Sequence, residues 1–314
     1  MTIAASKFSC KNLPLVAFGV CTFRRPLLAR ALRSLAGQTK MPGYRFCIIV
    51  ADNDDTPSAL SLVEDLKAES NIAMHYVHAP ARNISIARNA LLIKAAALGV
   101  TFFAMIDDDE EVTADWAATL LTEIASGGAD AVLGPVFARY RAGAPEWMKR
   151  AGLHDVRPVV QRSGEIVTGF TGNVILRMDS PHLRHRRFEL AYGLTGGEDD
   201  AFFSGMVKDG GTIGYAESAV AYEEVSEQRE TLGFLLRRSF RAGQTHSRVN
   251  RPERSIGRAI LFFKAISKTC ALLGAAGAAA TSPARRTKAL MRASLHAGIC
   301  SQILGGKVLE LYRT

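Results

Sequence analysis

Long uncharged runs are scarce in this 314-residue chain. The longest in its C-terminal part covers residues 269–284, ends in Ser and Pro, and falls short of the ~20 apolar residues that a membrane-spanning helix needs. The opening MTIAASKFSCKN has no apolar core of roughly 7–15 residues behind a basic end, so no secretory signal peptide is expected and the cytoplasm is the default compartment. Cysteine is sparse: Cys10, Cys21, Cys47, Cys270 and Cys300 are scattered, odd in number and without a C-x-x-C pair. A disulfide framework or a structural zinc site is not expected.

Several catalytic signatures are also missing. The first strand-to-helix turn reads CTFRRP, without the G-x-G-x-x-G of a Rossmann dinucleotide site, and no G-x-x-x-x-G-K-[ST] occurs. No G-x-S-x-G is present, and the seven histidines show no triad pattern with serine or cysteine, which argues against nucleophilic hydrolysis. No internal repeat of 20–50 residues is seen.

What is present is ordinary globular material: 48% apolar and 22% charged residues, with 27 Gly and 11 Pro. This composition excludes a disordered or collagen-like chain. The net charge of +9 is unevenly placed, because residues 1–228 hold 23 Lys and Arg against 27 Asp and Glu, whereas residues 229–314 hold 16 against 3. A basic tail of this kind suits a polyanionic partner, either a nucleic acid or an anionic membrane face.

From residue 14 to about 137, short apolar runs (14–21, 45–52, 72–78, 101–107 and 130–137) alternate with helical patterns near 26–38, 57–69, 84–98 and 114–126. Most of the runs are apolar throughout, as strands covered on both faces are. The β-α-β order predicts a parallel, doubly wound α/β sheet. Residues 138–190 are less regular, with a strand at Asn173–Arg177; a helix is expected at 198–209 and short strands at 212–215 and 219–223.

Ligands of such sheets bind beyond the carboxyl ends of the strands. There the chain places Thr22-Phe23-Arg24-Arg25, Asp52-Asn53-Asp54-Asp55 and Asp107-Asp108-Asp109-Glu110-Glu111. Strand alternation predicts Asp107 and Asp109 on one side of the backbone, where two carboxylates call for a positive charge between them; a hard cation, Mg²⁺ or Mn²⁺, suits oxygen ligands. The simpler alternative is that these acids cap the following helix. Asp52 and Asp54 suit recognition of a base or sugar, or an Asx turn. Arg82 and Arg88, with Asn83 and Asn89 beside them, suit a diphosphate, or only a solvated basic face. A second acidic cluster, Glu198-Asp199-Asp200, follows Gly196-Gly197 at a helix start, where it is either a cap or a source of a general base.

Taken together, VAFGVCTFRRP, LRSLAGQT, IIVADND, RNISIARN, MIDDDEE, FTGN and GGEDDAFF resemble the family 2 inverting glycosyltransferases, over about residues 14–243. Within that family the chain is similar to glucosyltransferases of bacterial succinoglycan (exopolysaccharide) assembly. The resemblance implies a GT-A fold: a mixed, mostly parallel sheet flanked by helices, with a nucleotide half at about 14–137, an acceptor half at about 138–243, and a helical C-terminal tail over 244–314. It further implies that Thr22, Phe23 and Arg24 line the uridine pocket, that Asp52 reads uracil or ribose with Asp54 nearby, and that Arg82, Arg88 and Asn89 lie near base and diphosphate. Asp107 or Asp108 would turn to the ribose, Asp109 with Asp107 would hold the metal, and Phe170–Asn173 would face the sugar. Asp199 would be the general base, with Glu198 orienting the acceptor.

The implied reaction is the transfer of one sugar, glucose from UDP-glucose, to a hydroxyl of a lipid-linked oligosaccharide. Two departures stand out. The metal-binding histidine of many relatives is replaced by AYEEV, so that Glu223 or Glu224 would substitute for it. The Q-x-x-R-W of processive synthases is missing, which favours single-sugar addition. The tail reads as two helical segments, 255–280 and 289–312, with sparse basic residues. They fit an interfacial pair on an anionic membrane, peripheral on the inner face of the plasma membrane, or a buried pair packed on the domain. Few aromatics interleave with the tail's charges, so nucleic acid is not the expected partner. Two competing functions are a sugar-1-phosphate nucleotidyltransferase, which would need a Gly-rich first loop that CTFRRP lacks, and a catalytically silent membrane scaffold.

Overall fold

The structure is a computed structural model and describes residues 13–38 and 41–310. The opening twelve residues, with Cys10 and the region read for a signal peptide, lie outside the described residues, as do residues 39–40 and 311–314.

The elements follow the alternation of the sequence. They are β1 (Leu15–Thr22), α1 (Leu28–Ala36), β2 (Arg45–Asp52), α2 (Leu60–Glu69), β3 (Ala73–His78), α3 (Ile84–Ala97), β4 (Phe102–Asp107), β5 (Glu110–Val112), α4 (Trp116–Gly127), β6 (Ala131–Leu133), β7 (Val136–Tyr140) and α5 (Glu146–Ala151). Then come β8 (Asn173–Arg177), α6 (Glu198–Lys208), β9 (Ile213–Tyr215), β10 (Ala221–Val225), α7 (Leu232–Val249), α8 (Ser255–Ala278) and α9 (Pro283–Ile303). The apolar run at 130–137 is two strands, because Gly134-Pro135 breaks it. A Cβ on Gly134 would lie 2.2 Å from the Ala219 carbonyl oxygen, so only glycine permits that approach. In the tail, the second helix starts earlier than its apolar pattern, with Pro283 at its first turn, a position where the missing N–H costs nothing.

The chain divides into two compact units. The first comprises Met1–Val136, Arg157–Phe188 and Phe202–Tyr222. It contains a seven-stranded sheet of order β3-β2-β1-β4-β8-β6-β9. Strands β3, β2, β1 and β4 run parallel, β8 runs antiparallel to both β4 and β6, and β9 is parallel to β6. The sheet is therefore mixed and mostly parallel. Two apolar layers cover it: Leu28, Leu32, Leu35, Trp116, Leu120 and Ile124 pack with Phe18 and Ile48 on one face. Leu91, Leu92, Phe188, Phe202, Phe203 and Met206 pack with Ile49 and Phe103 on the other. Burial on both faces explains why the central residues of β1, β2 and β4 form continuous apolar runs.

The second unit comprises Phe137–Val156, Glu189–Ala201 and Glu223–Thr314. Within it α9 packs on both α7 and α8. A Cβ on Gly243 of α7 would fall 1.8 Å from the Leu295 carbonyl oxygen, and one on Gly298 of α9 would fall 2.0 Å from that of Phe240. The two helix backbones touch at this crossing, and only glycine allows it. On its other side α9 meets α8 through Ala265, Ile299 and Cys300, with Leu261, Phe262, Leu295 and Ile303 packed around them.

Candidate active site

Parallel register brings the ends of three strands level: Thr22 lies beside Asp52, and Cys21 beside Asp107. The polar residues that follow each strand therefore gather at one edge of the first unit. Thr22 Oγ1 donates to Asp108 Oδ2 at 2.7 Å, a buried bond between the ends of β1 and β4. Arg24 forms two parallel bonds with Asp54, Nε to Oδ2 at 2.7 Å and Nη2 to Oδ1 at 2.8 Å. Arg82 pairs with Asp55 at 2.5 Å. The Arg24 and Arg82 guanidinium carbons stand 5.5 Å and 5.8 Å from the centroid of the Phe23 ring, within the range of cation–π attraction. Both arginines hold positive φ, 52° for Arg24 and 45° for Arg82. Such left-handed backbone is costly for a residue with a Cβ and is concentrated at functional sites.

The acids after β4 do not alternate as strand residues, because β4 stops at Asp107 and residues 108–109 form a turn. Asp107 is exposed, Asp108 is buried, and Asp109 is intermediate. Arginines supply the positive charge: Arg25 lies 3.4 Å from Asp108 and 3.5 Å from Asp109, and Arg88 lies 3.8 Å from Asp107. Burial pushes the Asp108 carboxyl up to about 6, with the neighbouring Asp109 charge adding to the effect and the Thr22 bond opposing it. Glu110 Oε2 accepts from the Asp107 N–H at 2.8 Å. A Cβ on Gly172 would sit 2.7 Å from Glu110 Oε1 and 3.3 Å from Asp107 Oδ2, so the FTGN loop reaches the acidic turn.

Among the described residues no three His, Cys, Asp or Glu side chains form a complete metal cage. A cation that binds a nucleoside diphosphate needs only one or two carboxylates and takes its other ligands from phosphate and water. The hard oxygens of Asp107 and Asp109 fit that requirement. Glu223 is engaged elsewhere, 2.5 Å from Arg229 within the second unit.

Asp52 is fully buried. It accepts from the Ala59 N–H at 2.8 Å, the Tyr76 hydroxyl at 2.8 Å and the Asp54 N–H at 3.1 Å. Burial, followed by the bond to Asp52, raises the Tyr76 pKa. The Arg24 bonds hold the Asp54 carboxyl well below the usual range. Asp52 thus organises the 52–59 loop, as the turn reading expects, while Asp54 holds Arg24. Arg88 is buried with its guanidinium 5.6 Å from the Phe188 ring centroid. The Asn89 amide exchanges two bonds with the Phe188 backbone, at 2.9 Å and 2.8 Å. Asn83 caps α3 by accepting from the Ser85 N–H.

Asn173 lies inside the fold with no exposed surface. Its amide nitrogen donates to the carbonyls of Pro135 and Ala219 at 2.9 Å and 2.7 Å, and its oxygen accepts from Trp116 Nε1 at 2.8 Å. These bonds tie β8, the 134–135 break and α4 together, directly beside the FTGN loop.

In the second unit, Glu198 and Asp199 stand in the first turn of α6, Glu198 buried and Asp199 intermediate. The turn before them has positive φ at Gly196 (76°) and Gly197 (106°). Helix α7 fixes that turn: Arg241 Nε donates to the Thr195 carbonyl at 3.2 Å, and Arg248 donates to Thr195 Oγ1 at 2.9 Å while lying 4.7 Å from the Tyr192 ring centroid. A Cβ on Gly196 would strike the Arg241 guanidinium at 1.8 Å. Sequence reasoning did not single out Arg25, Glu110, Tyr76 or Arg248. Arg25 and Glu110 lie inside the quoted motifs but were given no task of their own, whereas Tyr76 and Arg248 carry no local signal.

The mixed sheet, with acids and arginines at its carboxyl edge, defines a glycosyltransferase of the GT-A fold. The chain belongs to the family described as Glycosyl transferase family 2, whose profile matches residues 18–192. It is 46% identical over 301 residues, 95% of each chain, to the succinoglycan biosynthesis protein ExoM of Rhizobium meliloti (strain 1021). Among solved structures it resembles the mannosyltransferase PcManGT of Pyrobaculum calidifontis in complex with GDP-Man and Mn²⁺. That match has a TM-score of 0.62 and 16% identity, and covers 95% of this chain and 89% of that one. It also resembles S. aureus TarS 1-349 in complex with UDP-GlcNAc, with a TM-score of 0.52 and 15% identity, covering 93% and 92%.

Proposed function

We propose that the chain transfers a single glucose from UDP-glucose, with inversion, to a hydroxyl of a lipid-linked oligosaccharide in bacterial succinoglycan assembly. The observation that carries this reading is the convergence of Thr22, Arg24, Asp54, Arg88 and Asp107–Asp109 at one sheet edge. The 46% identity to ExoM supports the pathway, and the UDP-GlcNAc held by TarS supports a UDP-sugar donor. The transferase domain spans residues 1–243, and the tail 244–314 places it peripherally on the cytoplasmic face of the plasma membrane.

Each residue has a defined task in this reading. Thr22, Phe23 and Arg24 line the uridine pocket, with Asp52 and Asp54 ordering the loop beside them, and Arg82 offsets phosphate charge. Arg88, buried and fixed against Phe188, presents a cation that cannot turn away from the diphosphate. Asp199 accepts the acceptor hydroxyl proton as its oxygen attacks the anomeric carbon, opposite the departing UDP. Glu198 orients that hydroxyl. Asp109 and Asp107 would hold a Mg²⁺ or Mn²⁺ ion, which when bound supplies Lewis-acid stabilisation of the leaving diphosphate.

Incubating membranes that contain the chain with radiolabelled UDP-glucose tests this reading, and label in the lipid fraction is the expected result. Exchange of pyrophosphate instead would identify a nucleotidyltransferase. No turnover with any UDP-sugar would identify a silent scaffold.

A further inference from the structure

Helix α8 is long and apolar enough to cross a bilayer by length and composition, yet only 17% of its apolar window is buried. At 100° per residue, Leu261, Phe262, Ala265, Leu272 and Ala276 fall in one arc, of which Leu261, Phe262 and Ala265 pack on α9. The opposite arc carries Ile256 (69% exposed), Ile260, Phe263 (66%), Ile266, Cys270 and Leu273. Lys264 and Lys268 border this arc on one side, and the helix contains no Asp or Glu.

We propose that α8 is the docking element of the chain, lying in the plane of an anionic bilayer with Ile256, Ile260, Phe263, Ile266 and Leu273 at the acyl boundary. This deepens the peripheral-membrane part of the function proposed above and rests on it. The charge pattern selects the occupant. Two copies of this face would bring lysines together with no acid to answer them, whereas anionic headgroups answer them directly, at about 1 kcal/mol per basic residue near the surface. The orientation follows from the same lysines. A spanning α8 would carry Lys264 and Lys268 through the hydrocarbon, at about 2.5–3.5 kcal/mol each near its centre. An in-plane helix lets both reach the headgroups. Helix α9, which covers the opposite arc, then serves as the support rather than the inserted element.

Sedimentation of the full chain with vesicles of phosphatidylethanolamine and phosphatidylglycerol tests the proposal, beside vesicles of phosphatidylcholine alone. The wild type is expected to pellet with the anionic vesicles, and Ile260→Glu/Phe263→Glu to lose at least tenfold in affinity. Val159→Glu, at another exposed apolar residue, is expected to bind as wild type. Alkaline carbonate should release the chain from native membranes. Equal pelleting of the double variant, retention through carbonate, or a dimer that the double substitution dissolves would each overturn the proposal. UDP binding by calorimetry, expected to be the same in wild type and double variant, confirms that both are folded. A wild type that docks and binds UDP but transfers no sugar would refute the transfer reading and leave the docking intact.

Discussion

Asn173→Ala separates a sugar-contacting residue from an internal strut. The native amide has no exposed surface and makes three hydrogen bonds, to Pro135, Ala219 and Trp116. Truncation strands the Trp116 indole N–H, also fully buried, and two carbonyl oxygens. A buried donor left unsatisfied costs about 1–3 kcal/mol, and each lost bond about 0.5–1.5 kcal/mol. One stranded donor and two lost carbonyl bonds together cost about 2–6 kcal/mol, which for a chain of this size lowers Tm on the order of 10 °C. Thermal and urea unfolding read the loss directly, and UDP binding by the folded fraction at low temperature should change little. A variant that melts within a degree of wild type while losing transfer would refute the strut and return Asn173 to the sugar.

Asp199→Asn should abolish transfer and leave UDP binding nearly intact; lost UDP binding by calorimetry would remove Asp199 as the base. Gly243→Ala must push α7 and α9 apart, since the contact is with backbone, and should cost about 2–3 kcal/mol in urea unfolding. Gly274→Ala on α8, where a Cβ meets nothing within 4 Å, should instead stabilise by about 0.5–1 kcal/mol; equal effects of the two would contradict the crossing. His154 is buried, accepting from Tyr140 at Nδ1 and donating from Nε2 to the Arg229 carbonyl, and burial lowers its pKa to about 4. Its depressed value means that the stability it contributes is present above the unfolded pKa near 6.5 and is lost as pH falls towards 4, by up to about 3 kcal/mol. His154→Gln should flatten that part of the urea–pH profile, and an unchanged slope would contradict the assignment.

Strands β1, β2 and β4 were legible because two-sided burial makes their central residues continuous apolar runs, and the acids and arginines at their ends were legible because the sheet fixes where loops emerge. Pairing was not. Nothing local says that Thr22 meets Asp108, or that Arg25 bridges Asp108 and Asp109, since these contacts join residues about 85 positions apart. The alternation argument for Asp107 and Asp109 missed the turn at 108–109, because a carboxylate-rich segment reads alike as strand or turn. Asn173 shows the same limit, as a polar residue beside a glycine loop reads as a ligand until its burial is known. The tail's helices were legible from their apolar period, but neither the Gly243–Gly298 crossing of α7 and α9 nor the α8–α9 packing that decides which arc of α8 stays exposed was.

The proposed metal-assisted UDP site of Asp107–Asp109 and the facing arginines is tested most directly by calorimetric titration of UDP into Asp109→Asn and wild type, each with and without Mn²⁺. Mn²⁺ is expected to tighten UDP binding to the wild type by at least tenfold and to have little effect on the variant. An equal Mn²⁺ response in both proteins, or none in the wild type, would contradict the proposal.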